Sequence, residues 1–376
     1  MEKAQPILSI LVPTVNPGPR VERIIEELLD YKSSDFELVL SLNAPDQSLL
    51  INDKYKSDKR LILNREIERL NVAENWTRAV HVSSGKYIWL IGDDDFITSK
   101  QLDNILANIR VKDIGCFSFN GSSFIFPSKL SNQRALARPR HFSYEKSVLG
   151  VLDDSKRERI ITNMFRFKPL IPLNMQLTIF SRKIFEDLGN QFKMPFPDHI
   201  ALMEMLALKQ KWEIVDSRFC IVGMANSSFG NSAYTNSDSI GESYLGMSKV
   251  LDNQIPGNVL NSVMHSWLQN LASENPAFSN RRVSQGDYLL RQIGVGYRQL
   301  TSSIIDKKTL FKRISQLSFL DWVKVFSALA RADNLRSIVM ILKRKPGIDR
   351  IIGSKFEIVQ TESISEFAKD PVNSEI

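Results

Sequence analysis

Between residues 7 and 111 the chain alternates short apolar runs with stretches of helical periodicity, and this alternation limits the available folds more than any other feature. Residues 7–12 (ILSILV) form an apolar, β-branched run stopped by Pro13, the pattern of a buried strand. The turn Asn16-Pro-Gly-Pro19 follows, and then apolar residues fall at 21, 24, 25, 28 and 29, which is helical spacing. Residues 36–42 and 60–63 are further apolar runs. Residues 72–82 read as a helix with Ala73, Trp76, Ala79 and Val80 on one side. After Gly85 the strand-like residues 86–91 run into Gly92-Asp93-Asp94-Asp95, and Thr98-Ser99 caps a helix through Ile109. Strands alternating with helices predict parallel βαβ units with right-handed crossovers, so the first part of the chain is α/β.

The middle is less regular. Residues 116–126 look like strand material, 128–140 like a polar loop with four Arg/Lys, 174–180 like a strand, 198–209 like a helix and 212–222 like a bent strand. A segment rich in Ser, Asn and Gly, residues 226–243, marks a boundary. Beyond it the pattern is helical over 244–251, 259–271, 286–300 and 319–342. The expected organisation is a catalytic domain over residues 1–230, a helical region over 231–353, and a tail over 354–376 that is partly disordered.

Composition excludes several classes. Two cysteines, Cys116 and Cys220, support neither a disulfide framework nor a thiolate metal site. No apolar run approaches the roughly 18 residues of a spanning helix, and the start lacks the basic-then-apolar pattern of a signal peptide. The expected location is cytoplasmic, with peripheral attachment to the inner face of the plasma membrane as an option. Ten Lys/Arg face three Asp over residues 306–345, which accounts for the whole formal net charge of +7. These basic residues alternate with apolar ones at helical spacing. The pattern suits an anionic membrane surface, a partner, or plain packing with a solvated outer face. No nucleic-acid-binding motif accompanies it.

The acidic triplet carries the chemistry. Asp93-Asp94-Asp95 stands at the carboxyl end of a strand, the edge where open α/β sheets bind ligands. Three adjacent carboxylates repel one another unless a cation offsets them. A hard divalent ion such as Mg²⁺ or Mn²⁺ accepts such oxygens and bridges them to a substrate's phosphates. The bland alternative is a solvated acidic turn that caps the following helix.

Several segments together resemble the nucleotide-sugar-binding half of family 2 glycosyltransferases, the inverting enzymes of the GT-A fold. They are residues 9–16 (SILVPTVN), 37–43 (ELVLSLN), 75–79 (NWTRA), 84–92 (SGKYIWLIG) and the triplet, with a weaker match over 195–202 and 212–223. The resemblance implies a GT-A (Rossmann-like) mixed, mainly parallel sheet flanked by helices, here with an α-helical C-terminal region. It implies donor contacts from Pro13, Thr14 and Asn16 after the first strand. The family's base-reading Asp is replaced by Leu42, and the role passes to Asn43. Arg65, Asn75 and Arg78 match positions near the donor, and guanidinium groups suit a diphosphate. Asp93 and Asp94 are implied as donor-binding, and Asp93 and Asp95 as ligands of a divalent metal, Mn²⁺ or Mg²⁺. Asn71 stands where relatives often have Gly.

The resemblance also implies a catalytic base at the start of a helix roughly a hundred residues after the triplet. Asp198 fits that position, with His199 and Glu204 as lesser candidates; a helix-capping role is the competing reading. The implied function is transfer of a sugar from a UDP-, GDP- or dTDP-sugar to a hydroxyl of a glycan or lipid-linked acceptor in cell-surface polysaccharide biosynthesis. Two rivals stand beside it. A sugar-nucleotide-forming nucleotidyltransferase would use a Gly-rich loop after the first strand, and residues 13–20 hold a single Gly. A non-catalytic nucleotide-sugar-binding module would not need three repelling carboxylates.

Overall fold

A computed structural model describes residues 5–15, 17–43, 52–65, 68–127, 134–225, 259–301, 303–335 and 359–369. The chain divides into two compact units. The first comprises residues 1–157, 171–225 and 358–376; the second comprises 158–170 and 226–357.

The first unit is built on one mixed sheet. Its strands are β1 (Leu8–Thr14), β2 (Phe36–Leu42), β3 (Leu61–Arg65), β4 (Tyr87–Leu90), β5 (Cys116–Ile125), β6 (Leu136–Phe142), β7 (Gly150–Val151), β8 (Thr178–Ser181), β9 (Trp212–Met224) and β10 (Val359–Gln360). They lie in the order β10-β6-β5-β8-β4-β1-β2-β3, with β9 paired to β5 and β7. The half β4-β1-β2-β3 is parallel throughout. Beyond β4 the pairing turns antiparallel through β8, β5 and β6, apart from β9, which runs parallel to β5. The expected α/β fold class, a mixed sheet flanked by helices, is therefore present.

The helices follow the apolar periodicity. In α1 (Pro19–Asp30) Pro19 stands at the first position, and Val21, Ile24, Ile25, Leu28 and Leu29 are all buried against the sheet. A short α2 (Asp53–Lys56) precedes β3. In α3 (Val72–His81) Asn71 and Glu74 form a reciprocal capping box, which gives Asn71 a structural reason. Thr98 and Gln101 do the same for α4 (Ser99–Val111). Then come α5 (Asp154–Met164), most of which belongs to the second unit, α6 (Arg182–Asp187) and α7 (Pro197–Ala207). Strand residues Leu8, Ile10, Val12, Leu38, Leu40 and Trp89 centre the core.

At the amino edge of the sheet, buried Glu37 fastens three segments. Ser9 Oγ donates to it across 2.7 Å, Ser84 N across 2.5 Å and Gly85 N across 3.2 Å. A side chain at residue 85 would meet the Ser9 backbone N at 2.6 Å, so the Ser84-Gly85 turn needs glycine.

The structure departs from the pattern reading at β6. Residues 136–142, which overlap the expected loop over 128–140, form β6 against β5, with Arg138 fully buried. Pro139 and the run of basic residues hide this strand from hydropathy. In the tail, residues 359–369 form β10 and α12 (Ile364–Ala368) on the first unit. Ile364, Phe367 and Ala368 pack with Phe96, Phe124, Ala135, Ala137 and Ile221.

Among its described residues the second unit is helical: α8 (Val259–Glu274), α9 (Gln285–Thr301), α10 (Lys307–Ile314) and α11 (Phe319–Leu329). Asp287 on α9 is buried and ion-paired with Arg331 at 2.7 Å, while Lys168 and Arg166 hold Asp333 at 2.5 and 2.8 Å. The expected boundary at 226–243, the helix over 244–251 and the end of the helix over 319–342 lie outside the described residues. Among the described residues no helix is long and apolar enough to cross a membrane.

Candidate functional site

Strands β1 to β4 end at one edge of the sheet, and the triplet leaves β4 at that edge. Thr14, the last residue of β1, donates its hydroxyl to Asp93 Oδ2 at 2.5 Å. Asp95 turns into the protein and is only 3% exposed. Its Oδ2 accepts the Gly92 N–H at 2.5 Å and its Oδ1 accepts the Gly223 N–H at 2.9 Å. Asp94 Oδ2 accepts the Ala225 N–H at 3.1 Å. Asp93 and Asp94 stay partly exposed. The triplet thus resolves into a buried strut, Asp95, and two carboxylates nearer solvent.

The far wall is the end of β9. Phe96 and Ile221 exchange both backbone hydrogen bonds at 2.9 Å, which locks the residue after the triplet to that strand. Gly223 lies so close that a Cβ there would stand 1.9 Å from the Asp94 carbonyl oxygen. Gly223 and Ala225 escape a reading of short motifs because their partners lie about 130 residues away in sequence. A lone glycine inside an apolar strand is the available signal for such a close backbone approach.

Burial, together with the neighbouring charges of Asp94 and Asp93, raises the Asp95 carboxyl well above the usual carboxylate range. Asp93 is raised by burial and by Asp94; the Thr14 hydrogen bond and the charge of Arg20 oppose this. Arg20, in the first turn of α1, sits over the Phe126 ring at 5.5 Å, so a guanidinium is held at the same edge. Arg20 and Phe126 were not among the residues expected from sequence.

The other expected donor residues cluster at the end of β2. Ser41 donates to Asn75 Oδ1 at 2.8 Å, and Arg78 donates to Ser41 Oγ at 3.1 Å, Leu42 O at 3.1 Å and Asn75 Oδ1 at 3.0 Å. Asn43 is buried and clasps Leu70 in both directions, donating to its carbonyl and accepting from its N–H, each at 2.8 Å. Asn43 therefore spends its hydrogen-bonding capacity on holding the loop before α3, and Asn75 spends its own on joining α3 to Ser41 at the end of β2. Arg65 ends β3 with an exposed side chain, and Pro13 is a half-buried residue of β1. Asn16 lies outside the described residues.

Asp198 occupies the first turn of α7, whose cap position, Phe196, has no side-chain cap. Asp198 Oδ1 accepts the His199 N–H at 2.8 Å and lies 2.8 Å from His199 Nδ1. Glu204 is paired with Lys193 at 2.7 Å. Residues 208–211 connect α7 to β9.

Among the described residues no group of three or more His, Cys, Asp or Glu side chains gathers as a metal cage. The oxygens present fit a cation in a different way. Asp93 and Asp94 are hard donors at a crowded, anionic edge, and an ion shared with an incoming anion needs only one or two protein carboxylates.

The mixed sheet thus brings carboxylates, a guanidinium and the ends of β1 to β4 to one edge, the edge at which open α/β sheets bind ligands. Residues 9–188 match the model of glycosyl transferase family 2. An uncharacterised glycosyltransferase, EpsJ of Bacillus subtilis, is 29% identical over 143 residues, 36% of this chain and 41% of that protein. An uncharacterised glycosyltransferase of Methanocaldococcus jannaschii is 26% identical over 106 residues, 27% of this chain and 37% of that protein. The matches thus span about two fifths of these curated relatives. Among solved structures, S. aureus TarS 1-349 in complex with UDP-GlcNAc overlays with a TM-score of 0.43 at 16% identity, covering 79% of this chain and 86% of that one. The mannosyltransferase PcManGT of Pyrobaculum calidifontis, in complex with GDP-Man and Mn²⁺, overlays with a TM-score of 0.38 at 12% identity, covering 98% and 83%.

Proposed function

We propose that this chain is an inverting glycosyltransferase that takes a sugar from a nucleoside-diphosphate sugar and passes it to a hydroxyl of a glycan or lipid-linked acceptor in cell-surface polysaccharide assembly. One observation carries the reading. In a chain that matches glycosyl transferase family 2 over residues 9–188, two partly exposed carboxylates stand at the carboxyl edge of the parallel half of the sheet beside a buried third one that is tied to Gly92 and Gly223.

Asp93 and Asp94 are the residues that would hold Mn²⁺ or Mg²⁺. This assignment moves the second ligand from Asp95, whose two oxygens face the Gly92 and Gly223 N–H groups. When bound, the ion offsets the charge of the donor's diphosphate and of the departing nucleoside diphosphate. Thr14 fixes the rotamer of Asp93, and Arg20 brings a second positive charge to the edge. Pro13, Thr14 and Asn43 flank the nucleotide, and the donor contact expected of Asn16 is part of the same proposal. Arg65, Asn75 and Arg78 form its second wall.

Asp198 acts as the base. Its Oδ1 is committed to His199, which leaves Oδ2 to take the acceptor's proton. The acceptor oxygen bonds to the anomeric carbon, the carbon–oxygen bond to the diphosphate breaks, and the electron pair leaves with the nucleoside diphosphate. A single displacement from the opposite face inverts the anomeric centre.

The test is a panel of UDP-, GDP- and dTDP-sugars against purified protein with and without Mn²⁺, read by titration calorimetry and by slow donor hydrolysis. Cation-dependent binding and hydrolysis of one class is expected. Pyrophosphate release from a nucleoside triphosphate and a sugar phosphate would show a nucleotidyltransferase instead.

A further inference from the structure

Among its described residues the second unit exposes an apolar surface that their packing does not use. Helix α11 buries Val325 and Ala328 on one side. On the other, Phe319 is 81% exposed, Leu320 67%, Val323 49% and Phe326 61%. An ordinary surface helix opposes its buried stripe with polar residues. Here four large apolar side chains within eight positions face outward, the kind of patch that marks an interaction surface. The preceding α10 buries none of its residues and exposes Phe311.

The charge around these side chains is one-sided. Lys307, Lys308 and Lys312 on α10 and Lys324 on α11 are exposed. The acids nearby are already engaged: Asp306 caps α10 through Thr309 N at 2.7 Å, and Asp321 completes the capping box of α11 with Ser318. Phenylalanines among lysines suit an interface where rings enter the acyl boundary and ammonium groups meet lipid phosphates. Two copies of this surface would bring their lysines together, which opposes self-association.

We infer that α10 and α11 dock the protein on an anionic bilayer, with Phe311, Phe319, Leu320, Val323 and Phe326 inserted and Lys307, Lys308, Lys312 and Lys324 on the headgroups. This surface is distinct from the donor site and does not rest on the catalytic reading.

The experiment floats the full chain with vesicles of phosphatidylcholine alone or with about a third phosphatidylglycerol. Binding is expected only with the anionic lipid, weakening as salt rises. A Phe319→Ser/Phe326→Ser variant and a Lys307→Glu/Lys308→Glu/Lys312→Glu variant should each bind at least tenfold more weakly with unchanged melting temperature and donor affinity. A second readout does not depend on loss of binding. Cys116 and Cys220 are buried, so a Val323→Cys variant accepts a polarity-sensitive dye at one exposed site. Its emission should shift to the blue on anionic vesicles and stay constant on neutral ones. The inference is overturned if the wild-type chain stays with the soluble fraction, if both variants bind like wild type, if the dye does not respond, or if the phenylalanine variant converts a wild-type dimer to a monomer.

Discussion

Gly223 donates its backbone N–H to Asp95 Oδ1 across 2.9 Å, joining residues 128 positions apart. That bond, with the Gly92 N–H on the other oxygen, makes Asp95 the floor on which Asp93 and Asp94 stand. The family 2 domain match ends at residue 188, yet the wall that shapes the triplet comes from residues 221–225.

Gly223→Ala should damage the site from behind. The added methyl would meet backbone atoms of Asp94, which cannot swing aside as a side chain can. The expected cost is about 1–3 kcal/mol of stability, read by denaturant unfolding, with a donor affinity at least tenfold lower. Donor binding equal to wild type would show that the close approach is not needed for the site.

The raised pKa values set a pH dependence. Burial, joined by neighbouring charge, holds the Asp93 carboxyl above its ordinary 3.8, so the folded chain binds that proton more tightly than the unfolded chain. The sign follows from linkage: this group disfavours folding when ionised near neutral pH, and the penalty fades as pH falls through the raised value toward 3.8. Asp93→Asn keeps an oxygen for the Thr14 hydroxyl and removes the charge. Without metal it should melt at a higher temperature than wild type near neutral pH, with the difference shrinking in mild acid.

Asp198→Asn should separate binding from transfer. Donor affinity is expected to stay within about twofold, while turnover falls by roughly 10²–10⁴, the usual worth of a positioned base. Pre-steady-state transfer assays with a competent acceptor supply the measurement. Full turnover in this variant would pass the role to another group, with His199 the first to examine.

Phe367→Ala tests the tail. Phe367 is 2% exposed and packs in the cluster that contains Phe96, the residue directly after Asp95. Emptying that position should cost about 3–5 kcal/mol and lower donor affinity, whereas Phe367→Leu should recover most of both. An unchanged melting temperature would mean that α12 does not brace the sheet.

Much of this was legible in the sequence because it is local. The apolar run over residues 7–12, the spacing at 21, 24, 25, 28 and 29, and the Thr98 cap each depend on neighbours within one turn or strand; the helix and the cap appear as read, whereas the strand runs on through Pro13 to Thr14. Asn71 read as a departure from its relatives, and the capping box with Glu74 explains it. What escaped depends on distant pairing. The edge strand β6 carries a buried arginine and a proline, so its hydropathy resembles a loop. The inward turn of Asp95 follows from Gly223, and no property of three consecutive aspartates distinguishes which one faces the protein. Arg20 gained a place at the site only when α1 and the end of β5 came together over Phe126.

The central claim is that Asp93 and Asp94 share a divalent cation with the phosphates of a nucleoside-diphosphate sugar. Calorimetric titration of UDP, GDP and dTDP into wild-type protein and Asp94→Asn, each with Mn²⁺ and with a chelator, tests it most directly. The account predicts binding of one nucleotide to wild-type protein only with Mn²⁺, at least tenfold weaker in Asp94→Asn. Equal affinity with metal and with chelator, or a variant that binds like wild type, would contradict it.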